Sequence, residues 1–150
     1  LGAVEADLDL DMAGAGKGPV QRTGSLLTKL TEIMQSKLGS SRDAQGLESA
    51  LESLEKLRDS ADKIHLDDTS RLYNSNLLDA LRLKAGIRLA IATAKSALSR
   101  TESRGTHRRL DFENQDNDQL HHSLVDVNGN TSTLAIRKGG SGAWALSPDD

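Results

Sequence analysis

The sequence has no cysteine and almost no aromatic residues, which together make up 2% of its 150 residues. Without cysteine, this chain can hold no disulfide, no thiolate nucleophile and no cysteine-ligated zinc or iron–sulfur centre. With so few aromatics, a buried core must be built from Leu, Ile and Ala side chains, which suits closely packed helices. No apolar run approaches the roughly 18 residues that span a bilayer, so we expect no direct membrane span.

The sequence also has no excess of basic residues. Its 22 acidic residues outnumber its 19 Lys and Arg residues, and the net charge is -3. A nucleic-acid-binding protein needs a net basic face, usually with aromatic side chains, so we expect no nucleic-acid partner. The first residue is Leu, and no charged-then-apolar leader follows it. These features predict an interior or processed piece of a longer protein.

Four segments differ in composition along the chain. Residues 1–24 are small, acidic and Gly-rich without a sustained period, which predicts a linker or poorly ordered lead-in. Residues 25–110 carry the apolar periodicity of a helical domain. Residues 111–138 predict an acidic loop followed by a β-hairpin, and residues 139–150 predict a flexible tail.

Apolar residues recur at helical spacing in three stretches and predict helices over 25–38, 43–60 and 75–101. Asn74 stands where it can cap the first turn of the third helix. The expected fold is mainly α, an antiparallel three-helix bundle-like domain followed by a short β-hairpin and the tail. Four leucines are expected in its core: Leu51, Leu54, Leu81 and Leu89.

The hairpin is predicted from two β-branched stretches, 123–127 and 131–136, on either side of Asn128-Gly129-Asn130. Asn-Gly between two such stretches is a strong short-range hairpin signal.

Binding-site motifs for metals and phosphates are incomplete in this sequence. Gly14-Ala15-Gly16-Lys17-Gly18 lacks the Ser or Thr that must follow the lysine of a phosphate loop. His121 and His122 are neighbours, so on a strand they point to opposite faces and do not favour a shared metal. We therefore predict no catalytic, cofactor-binding or metal-binding residues in this chain.

Charged residues of both signs are concentrated just after the third helix. The candidate site residues there are Glu102, Ser103, Arg104, His107, Arg108 and Asp111. One interpretation is structural: the basic groups favour the helix C-terminus and pair with the acids. The other is a docking surface between domains or subunits. In either case we expect Arg104 to tie the helix end to the following chain, or to another domain.

Residues 101–111 read Thr-Glu-Ser-Arg-Gly-Thr-His-Arg-Arg-Leu-Asp. This string resembles the Glu-Ser-Arg-Gly-Ala-His-x-Arg-x-Asp segment of succinate dehydrogenase and fumarate reductase flavoproteins. Residues 68–78 resemble that family's entry into its long helix, and residues 46–51 resemble its second helix. Thr106, Asn76 and Gln115 depart from the family pattern, where Ala, Asp and Arg are usual.

The resemblance implies that the chain is the C-terminal helical domain of a succinate–fumarate oxidoreductase, with a structural and docking role and no catalysis alone. It implies FAD in the parent flavoprotein but none in this chain, because the family's flavin and dicarboxylate motifs lie upstream. The implied partners are the flavin-binding domain of the same subunit and an iron–sulfur subunit. The implied location is the cytoplasmic or mitochondrial-matrix side of a membrane, reached through partner subunits.

Two alternatives stay open at this point. L-aspartate oxidase has a similar Glu-Ser-Arg-Gly string, so this could be its C-terminal domain. A free-standing all-α interaction module with no redox role also fits the composition.

The resemblance generates a first prediction. The chain mixed with FAD should retain no flavin absorbance after gel filtration and should turn over neither succinate nor fumarate, because the groups required for both lie outside it. Absorbance spectra and a coupled dye-reduction assay measure this, and turnover by the chain alone would contradict the resemblance-based assignment.

Overall fold

The computed structural model describes residues 22–64, 66, 70, 72–138 and 144–146. The fold is mainly α, with three helices packed together and followed by a small antiparallel sheet, as predicted. The helices are α1 (Thr23–Lys37), α2 (Ala44–Ala61) and α3 (Ser75–Ser99). Each begins and ends within two residues of its predicted bounds.

Side-chain caps explain where two of the helices begin. Asp43 Oδ1 accepts a hydrogen bond from Gly46 N at 2.7 Å, which satisfies a free N–H in the first turn of α2. Asn74 is buried, and its Oδ1 accepts from Leu77 N at 2.8 Å. Asn74 is therefore the N-cap of α3, as predicted.

The chain divides into two compact units. Unit 1 comprises the described residues of Leu1–Ser36 and Glu52–Ala90, and unit 2 those of Lys37–Leu51 and Ile91–Asp150. In unit 1, parts of all three helices surround a core of leucine, isoleucine and alanine. Its buried residues include Leu26, Leu54, Leu57, Ala80, Leu83 and Ile87.

The burial of the four predicted core leucines, two on α2 and two on α3, differs in part from the prediction. Leu54 of α2 is fully buried, as predicted, whereas Leu51 and Leu81 are only half-buried. Leu89 was predicted to be buried, and this is wrong, because it is 70% exposed. The buried stripe passes through Ile87 instead, and at about 100° per residue Leu89 lies about 200° around the helix from that position.

All the strands among the described residues belong to unit 2. A short parallel pair joins β1 (Ser41–Arg42) to β2 (Arg108–Arg109). The predicted hairpin is present as β3 (His121–Val125) and β4 (Thr131–Lys138), antiparallel and with Ser123 opposite Thr133.

The hairpin turn is built by Asp126 and Gly129. One oxygen of the Asp126 carboxylate accepts from Asn128 N and Asn130 N, each at 2.8 Å. Gly129 has a φ of 82°, a conformation that favours glycine. The connection is longer than a two-residue Asn-Gly turn, so the first strand ends before the predicted residue 127.

The two ends of the chain are described only in part. Of the predicted lead-in, residues 1–21 lie outside the described residues, and α1 already begins at Thr23. Within the predicted tail, β5 (Trp144–Leu146) pairs antiparallel with the end of β4. Strand pairing depends on the open edge of another strand, here the end of β4, which the composition of the tail itself does not reveal. The other tail residues lie outside the described ones.

Burial on α2 and α3 predicts unequal effects of two leucine truncations. Leu54→Ala should lower the free energy of unfolding by about 2–5 kcal/mol, because it leaves a cavity in the core. Leu89→Ala should change it by less than about 0.5 kcal/mol, because that side chain is mostly in solvent. Urea unfolding of both variants measures this, and equal losses would contradict the observed stripe.

Candidate functional site

A buried carboxylate, that of Glu102, lies just beyond the end of α3. The Glu102 side chain is 0% exposed and accepts hydrogen bonds from Arg104 Nε at 3.0 Å and Asp116 N at 2.8 Å. Arg100 Nη1 is a further donor to it. The hydrogen bonds from Arg104 are the largest cause that lowers the pKa of Glu102 to about 2, against the opposing effect of burial. Glu102 is therefore a fixed negative charge at neutral pH.

A second ion pair joins the buried side chain of Arg109 to the partly exposed Asp111. Arg109 is 1% exposed, and its Nε and Nη2 donate to the two Asp111 oxygens, each at 2.7 Å. Its Nη1 donates to carbonyls at the end of α3, where the last turn of a helix leaves acceptors without intrahelical partners. These acceptors are Ala97 O, Leu98 O and Arg100 O, at 3.0, 3.2 and 2.9 Å.

Asp111 extends this link to α2. Its Oδ2 also accepts from Ala44 N at 3.0 Å, in the first turn of α2. The hydrogen bonds from Arg109 are the main cause that holds the pKa of Asp111 well below its usual range. Through one ion pair, the last turn of α3 and the first turn of α2 are therefore connected within unit 2.

Ser103 organises the loop that follows. Its Oγ donates to Phe112 O at 2.6 Å and accepts from Arg109 N at 2.8 Å. Its backbone N–H donates to Asn114 O at 3.0 Å. These contacts give residues 110–114 a defined backbone path, although the side chains along that path are exposed.

Arg100 and Lys95 connect α3 and the residue after it to the hairpin. Arg100 donates to Gln119 O at 3.0 Å and to His121 O. Lys95 Nζ donates to Gly129 O at 2.9 Å, at the hairpin turn.

His107 and Arg42 occupy the same part of unit 2. The backbone of His107 exchanges two hydrogen bonds with Arg104, at 2.8 and 3.0 Å. Burial, and then the charge of Arg42, lower the pKa of His107. Burial, and then the charge of Arg109, lower the pKa of Arg42. At neutral pH His107 is thus an uncharged imidazole in positively charged surroundings.

Five of the six candidate residues take part in these connections: Glu102, Ser103, Arg104, His107 and Asp111. Arg108 lies opposite Ser41 in the β1–β2 pair, with its side chain exposed. Sequence reasoning expected Arg104 to tie the end of the third helix to the following chain, or to another domain. Arg104 binds Glu102 and Asp116 O, whereas Arg109 contacts the carbonyls at the end of α3.

The structure also adds Arg42, Arg100 and Arg109 to the site. Arg100 and Arg109 could have been identified from the sequence, because each stands two residues from an acid. These acids are Glu102 and Asp111. Arg42 has no such signal, because it reaches the site only through the pairing of β1 with β2.

The chemistry available to these groups is that of fixed ion pairs. Both carboxylates are ionised and accept hydrogen bonds, so neither carries a proton to donate. Within the described ranges, no group of three or more His, Asp or Glu residues is arranged to hold a metal ion. No described helix is both long and apolar enough to cross a membrane.

The family whose description is fumarate reductase flavoprotein C-term matches residues 27–140 of this chain. The chain belongs to this family.

Curated relatives agree with that membership. The succinate dehydrogenase flavoprotein subunit of Coxiella burnetii is 36% identical over 97 residues, which are 65% of this chain and 16% of that protein. The fumarate reductase flavoprotein subunit of Mycobacterium tuberculosis is 33% identical over 119 residues, which are 79% of this chain and 20% of that protein. The chain thus spans about a fifth or less of the length of these relatives.

A solved structure of Escherichia coli quinol fumarate reductase has the same fold, with a TM-score of 0.76 and 27% identity. The match covers 88% of this chain and 23% of that one. The resemblance first seen at residues 101–111, to the C-terminal domain of the succinate dehydrogenase and fumarate reductase flavoproteins, is therefore confirmed over most of this chain.

The ion-pair cluster predicts a large effect of removing one charge. Glu102→Gln should lower the free energy of unfolding by about 3–5 kcal/mol, because two arginines lose their buried partner. As a control, Arg58→Gln removes the surface pair with Glu55, whose side chains are 50% and 39% exposed, and should cost at most about 1 kcal/mol.

The pH dependence of the free energy of unfolding, compared between the unsubstituted chain and Glu102→Gln, tests whether the charge of Glu102 is the cause. Because folding lowers the pKa of Glu102 from 4.5 to about 2, its stabilising effect is present above pH 4.5 and is lost as the pH falls towards 2. The free energy of unfolding should fall in that window, and less steeply in Glu102→Gln. Identical profiles for the two proteins would show that this carboxylate is not the stabilising group.

Proposed function

We propose that this chain is the C-terminal helical domain of a succinate–fumarate oxidoreductase flavoprotein, where it has a structural and docking role. The observation that carries the proposal is a loop whose backbone is held by the ion-pair cluster and whose apolar side chains face solvent. Leu110 is 50% exposed and Phe112 is 40% exposed.

The loop is preorganised for contact. The Arg109 guanidinium lies 5.0 Å from the centre of the Phe112 ring, and Ser103 holds the Phe112 carbonyl. A surface that is already ordered loses little conformational entropy when a partner covers it. Single exposed hydrophobic residues are common, but two on one constrained loop are typical of contact surfaces.

The helices of unit 1 present further apolar side chains to solvent. Leu78 and Leu89 of α3 are 54% and 70% exposed, and they lie eleven residues apart, on one face of the helix. Tyr73, just before α3, is fully exposed. Since about four-fifths of each curated relative lies outside the matched region, this missing part is the occupant that we propose for these surfaces.

FAD belongs, in this proposal, to that other part of the flavoprotein. The described residues do not fit a dinucleotide: the hairpin sheet is antiparallel, and no glycine-rich turn leads from a parallel strand into a helix there. A groove of about 270 Å³ between α1 and α2 lies below the range of about 300–1,000 Å³ that is typical of ligand pockets. We therefore assign this chain no step in flavin chemistry.

The remaining assignments follow from the relatives. Both curated relatives are named as flavoprotein subunits of succinate dehydrogenase or fumarate reductase, which favours this chemistry over that of L-aspartate oxidase. A flavoprotein subunit implies at least one other subunit, and we propose an iron–sulfur subunit as the second partner. Membrane association through such partners is part of the same proposal.

The test is to isolate the native assembly through a tag on this chain and to measure intact masses and flavin absorbance. A co-purifying, FAD-containing chain of the same family is the expected result. Leu110→Ser combined with Phe112→Ser should weaken its retention by about tenfold or more. Val127→Ser is the matched control, because Val127 is 102% exposed but lies at the hairpin turn.

Recovery of the tagged chain alone, as a stable colourless protein, would reject the proposal in favour of the free-standing module. Equal retention of the double variant and the control would reject the loop as the contact surface.

A further inference from the structure

Arg42 differs from the other arginines of the cluster. Arg100 and Arg104 are paired with Glu102, and Arg109 with Asp111. Arg42 is half-buried, and its Nε donates to Gly39 O at 3.1 Å, but none of the described acidic residues forms an ion pair with it. A partly desolvated guanidinium without a counter-ion is costly, and in most proteins such a group is paired.

His107 carries a second unused polar group. Its Nε2 is buried and has no hydrogen-bond partner among the described residues. Two backbone bonds to Arg104 fix the path of the chain at this residue. An unsatisfied buried nitrogen costs about 1–3 kcal/mol, unless something supplies the missing bond.

The strand pairing places these two groups on one side. Arg42 lies opposite Arg109 in the parallel register, and Leu110 N donates to Arg42 O at 2.8 Å. Side chains alternate along an extended strand, so those of His107 and Arg109 project to the same side. The charge of Arg42 also acts on the His107 imidazole, which is consistent with their proximity.

We propose that Arg42 and His107 together bind the carboxylate of an aspartate or glutamate from the flavin-binding part of the same flavoprotein. This inference rests on the proposed function and names one contact in its docking surface. An arginine fork can donate two parallel bonds to a carboxylate. The negative charge of that carboxylate favours protonation of His107, and the imidazolium Nε2–H can then donate a third bond.

Two observations favour this occupant. The cluster has four guanidinium groups, from Arg42, Arg100, Arg104 and Arg109, and its directly paired carboxylates are Glu102 and Asp111, so an anion from elsewhere meets an excess of positive charge. The site also adjoins the exposed loop, because Leu110 follows β2 directly and bonds to Arg42. The backbone of the exposed loop is therefore in direct contact with the backbone of Arg42.

The first experiment uses acetate as the carboxylate probe on the 150-residue chain. Nuclear magnetic resonance should show the pKa of His107 rising saturably with sodium acetate but not with sodium chloride at equal ionic strength. The response should disappear in Arg42→Gln and weaken in Arg42→Lys, which keeps the charge but not the fork. Circular dichroism confirms that each variant retains its helices, and Arg58→Gln is the matched control with a surface arginine removed.

The second experiment measures retention of the FAD-containing chain in the tagged native assembly. Arg42→Gln should weaken it by about tenfold or more, since loss of one partner of a buried charged pair mainly speeds dissociation. Retention within about twofold of the unsubstituted chain would overturn the inference, as would equal responses to acetate and chloride.

The two proposals fail in different ways. If the Leu110 and Phe112 double variant loses the flavin-containing chain and Arg42→Gln does not, the docking role stands and the carboxylate contact is wrong. If the unsubstituted chain retains no flavin-containing partner, the proposed function fails and the contact fails with it.

Discussion

A buried guanidinium needs an acceptor at each of its nitrogens, and this constraint shapes unit 2 of the protein. Arg109 meets it with both oxygens of Asp111 and with three carbonyls at the end of α3. The same Asp111 accepts from the first turn of α2. Arg109 thereby supplies donors to the carbonyls at the C-terminus of α3, and Asp111 supplies an acceptor to an N–H at the N-terminus of α2. Backbone groups at helix ends have no partners within the helix. The loop from Ser103 to Asn114 takes its path from this link.

This use of polar connections complements a core with few large side chains. The buried apolar residues of the helices are leucine, isoleucine and alanine, which fill space but specify orientation weakly compared with bulky aromatic anchors. Directional hydrogen bonds from arginine define how the short strands and the loop are held. The one phenylalanine is placed on the outside of this arrangement, beside Arg109, and not in the core. This is the surface that we propose as a contact with the rest of a flavoprotein.

Local patterns were enough for the helices and for part of the site. The caps at Asp43 and Asn74 and the hairpin around Gly129 depend on contacts within a few residues, so their signals can be read from neighbouring letters. Leu89 shows the limit of the method: α3 has apolar residues on more than one face, and periodicity alone does not say which face is covered. Similarly, β5 depends on a strand edge that its own sequence does not contain.

The amino-acid sequence by itself determined the helical class, the start of α3, the position of the hairpin and the family, because these follow from short-range periodicity and from a contiguous motif. Only the tertiary structure decided which arginine serves which partner. Arg104 and Arg109 are alike as letters in a basic stretch, but the turn at Gly105, with a φ of 59°, reverses the chain and brings Arg109 back to the end of α3. Arg42 joins them through strand pairing across more than sixty residues. Long-range electrostatic partners are chosen by the path of the backbone, which the composition of the motif does not specify.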